Sequence, residues 1–334
     1  MDNKILLAHG SGGKLSHDLV KKNFIQPFSN LIIDKMDDSA VFDLNGRIAF
    51  TTDSYVVSPL FFPGGDIGKL AVCGTINDLA MCGASPIYLS VSLIIEEGLP
   101  FSELEKIISS IQKVATDTGV KVVTGDTKVV NQGSTDKLFI NTAGIGLIPP
   151  GVDISGSNAI LGDKVILSGA IGNHGIAVIS QREGLRLKVP VESDCAPLNM
   201  LVSDMLTASN HIHCLRDPTR GGLATTLNEL AMQSGVGINI REDKIPIQQS
   251  VNAACELLGF DPLYVANEGK LVAIVSPTCA EEILNVMKHN HYGSESAIIG
   301  EVVTEHPGRV TMKTILGTSR IVDMLTGELL PRIC

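Results

Sequence analysis

A segment rich in proline, glycine and serine divides the chain into two halves, and this division constrains the fold more than any other feature. The segment is PPGVDISGSNAILGD, residues 149–163 of 334, and such clusters mark turns and linkers rather than helices or strands. A chain of this length is long enough for two domains of ordinary size. We therefore expect a domain at 1–150, a second domain at 151–320, and a flexible tail at 321–334.

Both halves alternate between strand and helix patterns. β-Branched residues predict strands at 47–57, 120–126 and 136–148 in the first half, and at 270–276 and 296–303 in the second. Helices are predicted at 101–119 and at 221–235, the latter bounded by glycines at both ends. These patterns predict an α+β protein with mixed sheets, in which the first domain is rich in α/β alternation.

The helix predicted at 101–119 has the clearest pattern. Ser102 and Glu105 have the spacing of a capping box, and Gly119 is a suitable stop signal. The apolar residues recur at helical spacing and share one face. They are Leu104, Ile107, Ile108, Ile111 and Val114.

Composition excludes several classes of protein. The net charge is −10 and no basic cluster stands out, so we expect no nucleic-acid partner. No apolar stretch has transmembrane length, and the first residues are too polar for a signal peptide, so we expect no membrane segment. The seven cysteines are odd in number and contain no CxxC pair, which argues against disulfides or structural zinc and favours a reducing cytoplasm.

Four aspartates have similar surroundings: Asp38, Asp53, Asp78 and Asp126. Each lies beside Gly, Ser, Thr or Asn and close to a predicted strand end, and strand ends of an α/β domain converge at one rim. Carboxylates brought together there would repel one another unless a cation joined them, and Mg²⁺ with a phosphate substrate suits such ligands. The alternative is a set of unrelated turn and capping residues.

Three glycine-containing segments resemble anion-binding loops. HGSGGK (9–14) and PGGDIGKL (63–70) each lack the Ser or Thr that follows Lys in a Walker A loop, so any ATP site here is not a P-loop. Taken alone, each loop is better explained as a plain turn. In DPTRGGL (217–223), the glycines at a helix start suit either anion binding or close helix packing.

Two further segments carry titratable groups. Glu268 in NEGKL (267–271) lies at the edge of an apolar strand, where a raised pKa would suit a base, although the residues taken alone favour an ordinary turn. The histidines of HIHC (211–214) and HNH (289–291) have the spacing of metal-ligand pairs. No third His or Cys cluster completes either site in the sequence.

The chain ends in PRIC, with a thiol on Cys334. The adjacent terminal carboxylate raises the expected pKa of that thiol, and Arg332 partly offsets the effect. Pro331 keeps the segment out of a helix. A frayed terminus with an incidental cysteine is one interpretation. The other is a mobile arm with a nucleophile at its tip, since a thiolate attacks carbonyl carbon well.

Taken together, these motifs resemble the HypE family of hydrogenase maturation factors over the whole chain. The resemblance rests on LAHGSGGK, TTDSYVVSPLFFPGG, GKLAVCGTINDLAMCGASP, VTGDTKVV, DPTRGG, NEGKLV and the terminal PRIC, of which PRIC is the most specific. All but the last are similar to the wider aminoimidazole ribonucleotide synthetase superfamily, whose members bind Mg–ATP without a Walker loop. The resemblance implies an N-terminal domain that dimerises through its sheet, a C-terminal α+β domain and a flexible tail.

The resemblance also implies a reaction on the tail. The carbamoyltransferase HypF would load a carbamoyl group onto Cys334, and ATP-dependent dehydration would convert it to a thiocyanate. The cyano group would pass to iron on the HypC–HypD complex, for the cyanide ligands of [NiFe]-hydrogenase. The family roles implied for individual residues are Mg–ATP binding for Asp38, Asp53, Asp78 and Asp126, phosphate contact for Lys69, a cation for Lys128, a base for Glu268 and the carrier for Cys334.

Two other functions stay open from the residues. A kinase or synthetase of the same superfamily would act on a free small molecule, and Cys334 would then be incidental. A carrier protein would use Cys334 to ferry a one-carbon group made elsewhere, with nucleotide setting only its conformation.

Overall fold

The computed structural model describes residues 4–11, 13–36, 39–185, 187, 189–327, 330 and 332–334. Two mixed sheets, each with its own helices, form the two halves of the molecule. The first sheet ends at Ile148 and the second begins at Lys164. The prediction of a two-domain α+β fold is confirmed.

The N-terminal half is built around a four-stranded sheet of order β1-β6-β4-β5, in which only β4 and β5 are parallel. A two-stranded hairpin, β2-β3, precedes α2. The elements are α1 (Lys14–Val20), β1 (Arg47–Tyr55), β2 (Phe61–Phe62), β3 (Gly65–Asp66), α2 (Ile67–Met81), β4 (Ser85–Glu96), α3 (Phe101–Thr118), β5 (Lys121–Val130) and β6 (Leu138–Ile148).

Alternation along the strands gives this sheet two different faces. The inner face, which carries Tyr55, Leu93 and Ile140, is buried, and α2 packs against it. The outer face carries exposed apolar side chains: Ile48, Phe50 and Ile94 are 48%, 69% and 43% exposed. The described part of the chain therefore leaves several apolar side chains of this face exposed, although Phe42 packs on Tyr88 of the same face.

Helix α3 confirms the predicted apolar face, because all five predicted residues are buried. The helix ends at Gly119, whose φ of 73° is the left-handed conformation that glycine adopts without strain. The predicted capping box is wrong. Pro100 occupies the N-cap position without a side-chain hydrogen bond, so Ser102 lies inside the first turn.

The C-terminal half contains a seven-stranded sheet of order β13-β12-β9-β11-β7-β10-β8, in which only β12 and β9 are parallel. Aliphatic clusters fill both of its faces. The elements are β7 (Lys164–Leu167), α4 (Asn173–Arg182), α5 (Asn199–Ala208), β8 (Ile212–Arg216), α6 (Gly222–Ser234), β9 (Gly237–Arg241), α7 (Gln249–Leu258), β10 (Val272–Val275), α8 (Ala280–His289), β11 (Ala297–Val303), β12 (Val310–Lys313) and β13 (Ser319–Val322).

The end of the chain returns to the N-terminal half. The amides of Val56 and Ser58 donate to the carbonyls of Cys334 and Arg332, at 3.4 and 3.2 Å. Ile333 is 4% exposed and packs into the N-terminal core. The last three residues thus lie antiparallel to the segment that follows β1, while the flexibility expected for the tail stays a prediction. Among the described helices, none is long and apolar enough to cross a membrane.

Candidate active site

The thiol of Cys334 lies beside the carboxyl group of Glu268. Glu268 precedes β10 and is 3% exposed, and its Oε1 has no hydrogen-bond partner. Burial, and then the neighbouring Cys195, Asp217 and Asp194, raise the pKa of Glu268 well above its usual value. A carboxyl group with a raised pKa, in contact with the thiol of Cys334 and with one free oxygen, is a stronger base than an ordinary carboxylate.

Burial also raises the pKa of the Cys334 thiol, and Glu268 adds to this effect. The charge of Arg220 lowers the pKa of the Cys334 thiol and so opposes this effect. The sequence suggested that the neighbouring Arg332 would have this role. Arg332 pairs instead with Asp136. A partly buried thiol with a raised pKa is a poor nucleophile, so the docked position does not favour attack by this sulfur.

A cluster of carboxylates lies next to Cys334 on the inner side of the sheet. Asp78 is near the end of α2 and accepts a 2.9 Å hydrogen bond from the hydroxyl of Thr51. Burial and then Asp53 raise the pKa of Asp78. Burial and then Asp78 raise the pKa of Asp217 to about 7. Asp53 also acts on Glu268 and Cys334, so these acidic groups form one electrostatic unit.

This cluster borders a cleft of about 640 Å³ that also contains cationic groups. Arg216 and Arg220 line it together with Asp78 and Asp217. Arg216 pairs with Glu229 at 2.7 Å. The cleft therefore offers carboxylates for a cation and guanidinium groups for an anion, which is the pairing that a metal-bound phosphate requires.

The carboxylates fit Mg²⁺ better than a metal held by protein ligands alone. Within the described residues, no three His, Cys, Asp or Glu side chains are arranged to hold a metal ion. Mg²⁺ commonly takes only one or two carboxylates and keeps waters or substrate phosphates as its other ligands. Burial is the main reason that the pKa values of Asp78 and Asp217 are raised, and repulsion from neighbouring carboxylates, which such an ion would relieve, adds to it.

Asp126 and Lys128 lie elsewhere. Both are on β5, the edge strand opposite β1, and their partners on β4 are Ser92 and Ile94. This register places both side chains on the outer face of the sheet. Three strand spacings of about 4.8 Å separate the two edges. The structure therefore does not bring Asp126 or Lys128 to Asp53 and Asp78 within one chain.

A separate groove of about 420 Å³ contains Asp126 and Lys128. It lies between β5 and the segment that includes α1, and Gly10 and Ser39 also line it. Its floor is apolar, with Phe24, Ile32 and Val122 among the lining residues. The HGSGGK loop, which ends at the start of α1, thus borders a pocket and is not only a turn. Asp38 lies outside the described residues.

Lys69 is also remote from the aspartate cluster. Every residue of α2 is buried except Lys69 and Asp78. Nine helical residues separate them, which corresponds to opposite sides of the helix and about 13 Å along its axis. Lys69 donates to the carbonyl of Gly64 at 2.8 Å. It lines a small cavity of about 270 Å³ with Asp194 and Lys270.

The expectation that the aspartates lie near strand ends needs correction. Asp53 is near the end of β1, but Asp78 is in α2 and Asp126 is in the middle of β5. The histidine pairs also have other partners. His213 lies 2.7 Å from Asp163, and His289 bonds to the carbonyl of Asn285 in its own helix.

Sequence reasoning missed two residues of the site. Asp217 opens the DPTRGG motif, but the pattern weighed only anion binding against helix packing and did not single out the acid. His174 lies between two glycines, and nothing in its surroundings in the sequence distinguishes it. It is fully buried, and its Nε2 is 2.8 Å from the carbonyl of Ile333.

Comparison with known proteins identifies the family of the chain. Models of the AIR synthase related protein family match both halves of the chain, the N-terminal domain at residues 36–148 and the C-terminal domain at residues 161–313. Carbamoyl dehydratase HypE of Azotobacter vinelandii is 52% identical over 334 residues, which cover 100% of this chain and 98% of that protein. The chain belongs to the HypE family.

Two solved structures of the HypE family are close to this one. A hydrogenase maturation protein HypE in complex with ATP superposes with a TM-score of 0.96 at 48% identity, covering 98% of this chain and 99% of that one. HypE from a HypE–HypF complex superposes with a TM-score of 0.82 at 51% identity, covering 92% and 99%.

Proposed function

We propose that this protein is an ATP-dependent carbamoyl dehydratase of hydrogenase maturation, acting on its own C-terminal Cys334. The carbamoyl group on the sulfur is converted to a thiocyanate, which supplies cyanide ligands for the iron of [NiFe]-hydrogenase. The names of the relatives support the general role. The observation that carries the proposal is the placement of the terminal thiol against Glu268, a buried carboxyl group with no other partner for its Oε1.

The chemistry requires a good leaving group and a base. The amide oxygen of the thiocarbamate leaves poorly, and ATP supplies the phosphoryl group that turns it into a phosphate. Loss of that phosphate with both N–H protons gives S–C≡N. Glu268, next to the sulfur and buried among other acids, accepts a proton from the nitrogen. Arg220 stabilises negative charge that develops near the thiol.

We retain the residues predicted from the sequence as ligands of the nucleotide and the metal, and add Asp217. Asp53 and Asp78, together with Asp217, would hold Mg²⁺ in the cleft next to Cys334. Asp126 and Lys128 would contact the nucleotide on the side of the groove beside β5, Asp38 keeps its proposed role in Mg–ATP binding, and Lys69 keeps a proposed phosphate contact. Because Lys128 is on the opposite face of the sheet, its role as the cation near the phosphoryl group would require a second chain.

A homodimer formed through the outer face of the N-terminal sheet would supply that second chain. Ile48, Phe50 and Ile94 leave this face apolar and exposed, as expected for an interface. Asp126 and Lys128 share the face, so in such a dimer they would lie at the contact between the protomers.

Loading would take place away from the docked position. The Cys334 thiol there is partly buried and has a raised pKa, so a carbamoyltransferase would need the tail to be undocked. We propose HypF as this partner and the HypC–HypD complex as the acceptor of the cyano group. All seven cysteines are free thiols, in agreement with the reducing cytoplasm that we propose as the location.

Intact-protein mass spectrometry tests the proposed function. The chain would be incubated with HypF, carbamoyl phosphate and ATP, and then with excess Mg–ATP. Loading adds about 43 Da, and loss of water reduces the net gain to about 25 Da, if the covalent carrier chemistry is correct. Both changes should be absent in Cys334→Ala.

The other outcomes identify the alternatives. An adduct that forms on Cys334 and never loses water would support a carrier protein. No adduct in the presence of an active HypF would remove the role of the tail. A kinase or synthetase acting on a small molecule would then be the better description.

A further inference from the structure

The C-terminal residues are held mainly by one helix, α4. The ring Nε2 of His174 lies 2.8 Å from the carbonyl oxygen of Ile333. Arg182, eight residues later, donates from Nη2 to the carbonyl oxygen of Arg332 and from Nε to that of Ser58, both at 2.7 Å. The helical spacing of these residues puts them close to one side of α4.

The same helix leaves room for the chain that leads to the tail. Gly175 faces Leu330: a Cβ at this position would come within 3.2 Å of the Leu330 side chain and within 2.5 Å of Val265. A larger residue at 175 would therefore crowd the segment that precedes the docked residues. His174, Gly175 and Arg182 together form one surface that contacts Leu330, Arg332 and Ile333.

The hydrogen bonds around His174 determine its tautomer. A carbonyl oxygen only accepts, so Nε2 carries the hydrogen that is donated to Ile333. Burial lowers the pKa of His174, which favours the neutral ring. Nδ1 then accepts from the hydroxyl of Ser193 at 2.8 Å, and that hydroxyl oxygen accepts from the amide of Cys195 at 3.1 Å. The chain of bonds orients the imidazole before the tail arrives.

We propose that His174 is the positioning residue that recognises the docked tail, by donating from Nε2 to the Ile333 carbonyl while the Ile333 side chain fills an apolar site. The inference rests on the proposed function, because it concerns how the loaded Cys334 is brought to Glu268. His174 touches the backbone of the tail and not the reacting group. It therefore changes the fraction of time for which the Cys334 sulfur lies beside Glu268.

The rate of alkylation of Cys334 measures docking without any catalysis. Iodoacetamide labelling of the full chain, followed by peptide mass spectrometry, reports each thiol separately. Cys82 is exposed and serves as the reference for a freely reacting thiol. Cys73 and Cys195 are buried and stay protected as long as the fold is intact.

Two variants of similar shape separate the hydrogen bond from packing. His174→Gln keeps an amide donor near the position of Nε2, whereas His174→Met has no donor. We expect His174→Met to label Cys334 about threefold to tenfold faster than the wild type, the range for one net hydrogen bond, and His174→Gln to stay within about twofold. Equal Cys334 labelling in all three proteins would overturn the inference.

A substitution on the tail tests docking independently if His174→Met disturbs the fold and exposes Cys73 and Cys195. Ile333→Ala shortens the apolar anchor and touches the domains only at the docking site. It should accelerate labelling of Cys334 alone. If it leaves that rate unchanged, the docked tail is not held at this surface and the proposal is wrong.

Single-turnover dehydration of chain already loaded by HypF separates this inference from the proposed function. The rate should fall in His174→Met and recover in His174→Gln. If labelling follows the expected order but the loaded wild type never loses water, the docking role of His174 stands. The proposed dehydration then fails.

Discussion

At the scale of single residues, the site depends on acids held in places where ionisation is unfavourable. Glu268 is buried and surrounded by Asp217, Asp194 and Asp53. Burial and the charge of Asp78 raise the pKa of Asp217 to about 7. In such surroundings the proton affinity of each group depends on its neighbours. Activity and stability should therefore both change with pH through the same small set of residues.

Glu268→Gln should stop dehydration while leaving a similar shape. Removal of a general base typically slows a reaction by about 10²–10⁴-fold. The variant should still accept the carbamoyl group from HypF, so intact mass spectrometry should show the loaded species persisting. Glu281→Gln is a suitable control, because Glu281 is exposed at the start of α8. Normal dehydration by Glu268→Gln would exclude Glu268 as the base.

Asp217 should make the protein less stable as the pH rises through neutrality. An unfolded chain loses this proton near pH 4, but the folded chain holds it to about pH 7. Between these values folding takes up a proton, so the free energy of unfolding falls as pH increases. The contribution is present below about pH 4 and is lost by about pH 7, with an upper magnitude of roughly 4 kcal/mol.

Thermal unfolding of Asp217→Asn without nucleotide or magnesium measures this contribution. The melting temperature of the variant should rise relative to that of the wild type between pH 5 and pH 8, because only the wild type loses this stability as the pH approaches 7. An identical difference between the two proteins at both pH values would show that Asp217 does not titrate in this window.

At the scale of elements, α2 carries the N-terminal core and two of the predicted site residues. It is buried on nearly all sides, with only Lys69 and Asp78 not fully enclosed. Near its start, α2 approaches α3 so closely that a Cβ on Gly68 would lie 2.6 Å from the carbonyl oxygen of Ile107. A backbone oxygen within a helix cannot move aside as a flexible side chain can.

Gly68→Ala should therefore destabilise the protein despite the better helix propensity of alanine. We expect the free energy of unfolding to fall by about 1–3 kcal/mol, as measured by urea denaturation. Gly13→Ala is the matched control. No atom lies within 4 Å of its added Cβ, and its φ of −87° suits any residue, so its effect should be small. Equal stability of both variants would mean that α2 and α3 are less closely packed.

Helix α3, which has one buried face, was predictable, and helix α2, which is buried on nearly all sides, was not. The apolar stripe of α3 gave both the helix and its core residues, and the glycines around α6 gave its ends. Helix α2 shows no such stripe, since polar and apolar positions alike are buried, and its sequence pattern carried no prediction. For the same reason the sequence placed Asp78 near a strand end, because nothing in the pattern distinguished α2 from a loop.

Some residues of the candidate site were likewise predictable from the sequence, and others were not. Motif resemblance identified Glu268 and Cys334, and the structure brings them into contact. Asp217 and His174 were missed because their partners are far away in the sequence. Asp217 interacts with Asp78, and His174 bonds to the carbonyl of Ile333. Such partners are set by how the two domains and the tail meet, which no local pattern contains.

At the scale of the whole molecule, the exposed apolar side chains on the outer face of the N-terminal sheet predict a dimer. Phe50 is 69% exposed at the centre of β1, within the apolar face proposed as the interface. Phe50→Glu should convert the dimer to a monomer, because burying an unpaired charge in an apolar contact is unfavourable. Sedimentation velocity at micromolar concentration measures the change.

Leu316→Glu is the control for this prediction. Leu316 is 87% exposed on the turn between β12 and β13, in the other half of the chain, so this charge should leave the sedimentation coefficient unchanged. A wild-type chain that sediments as a monomer would contradict the proposed interface. A Phe50→Glu variant that remains dimeric would place the contact on another surface.

The end of β13 acts as the fixed point of a tether. Only residues 323–334 follow it, and twelve residues span at most about 43 Å when fully extended. Any enzyme that modifies the sulfur must therefore bring its own reactive centre within that radius of Val322. Because donor and acceptor share one chain, return of the loaded sulfur to Glu268 is first order and should keep the same half-life when the protein is diluted.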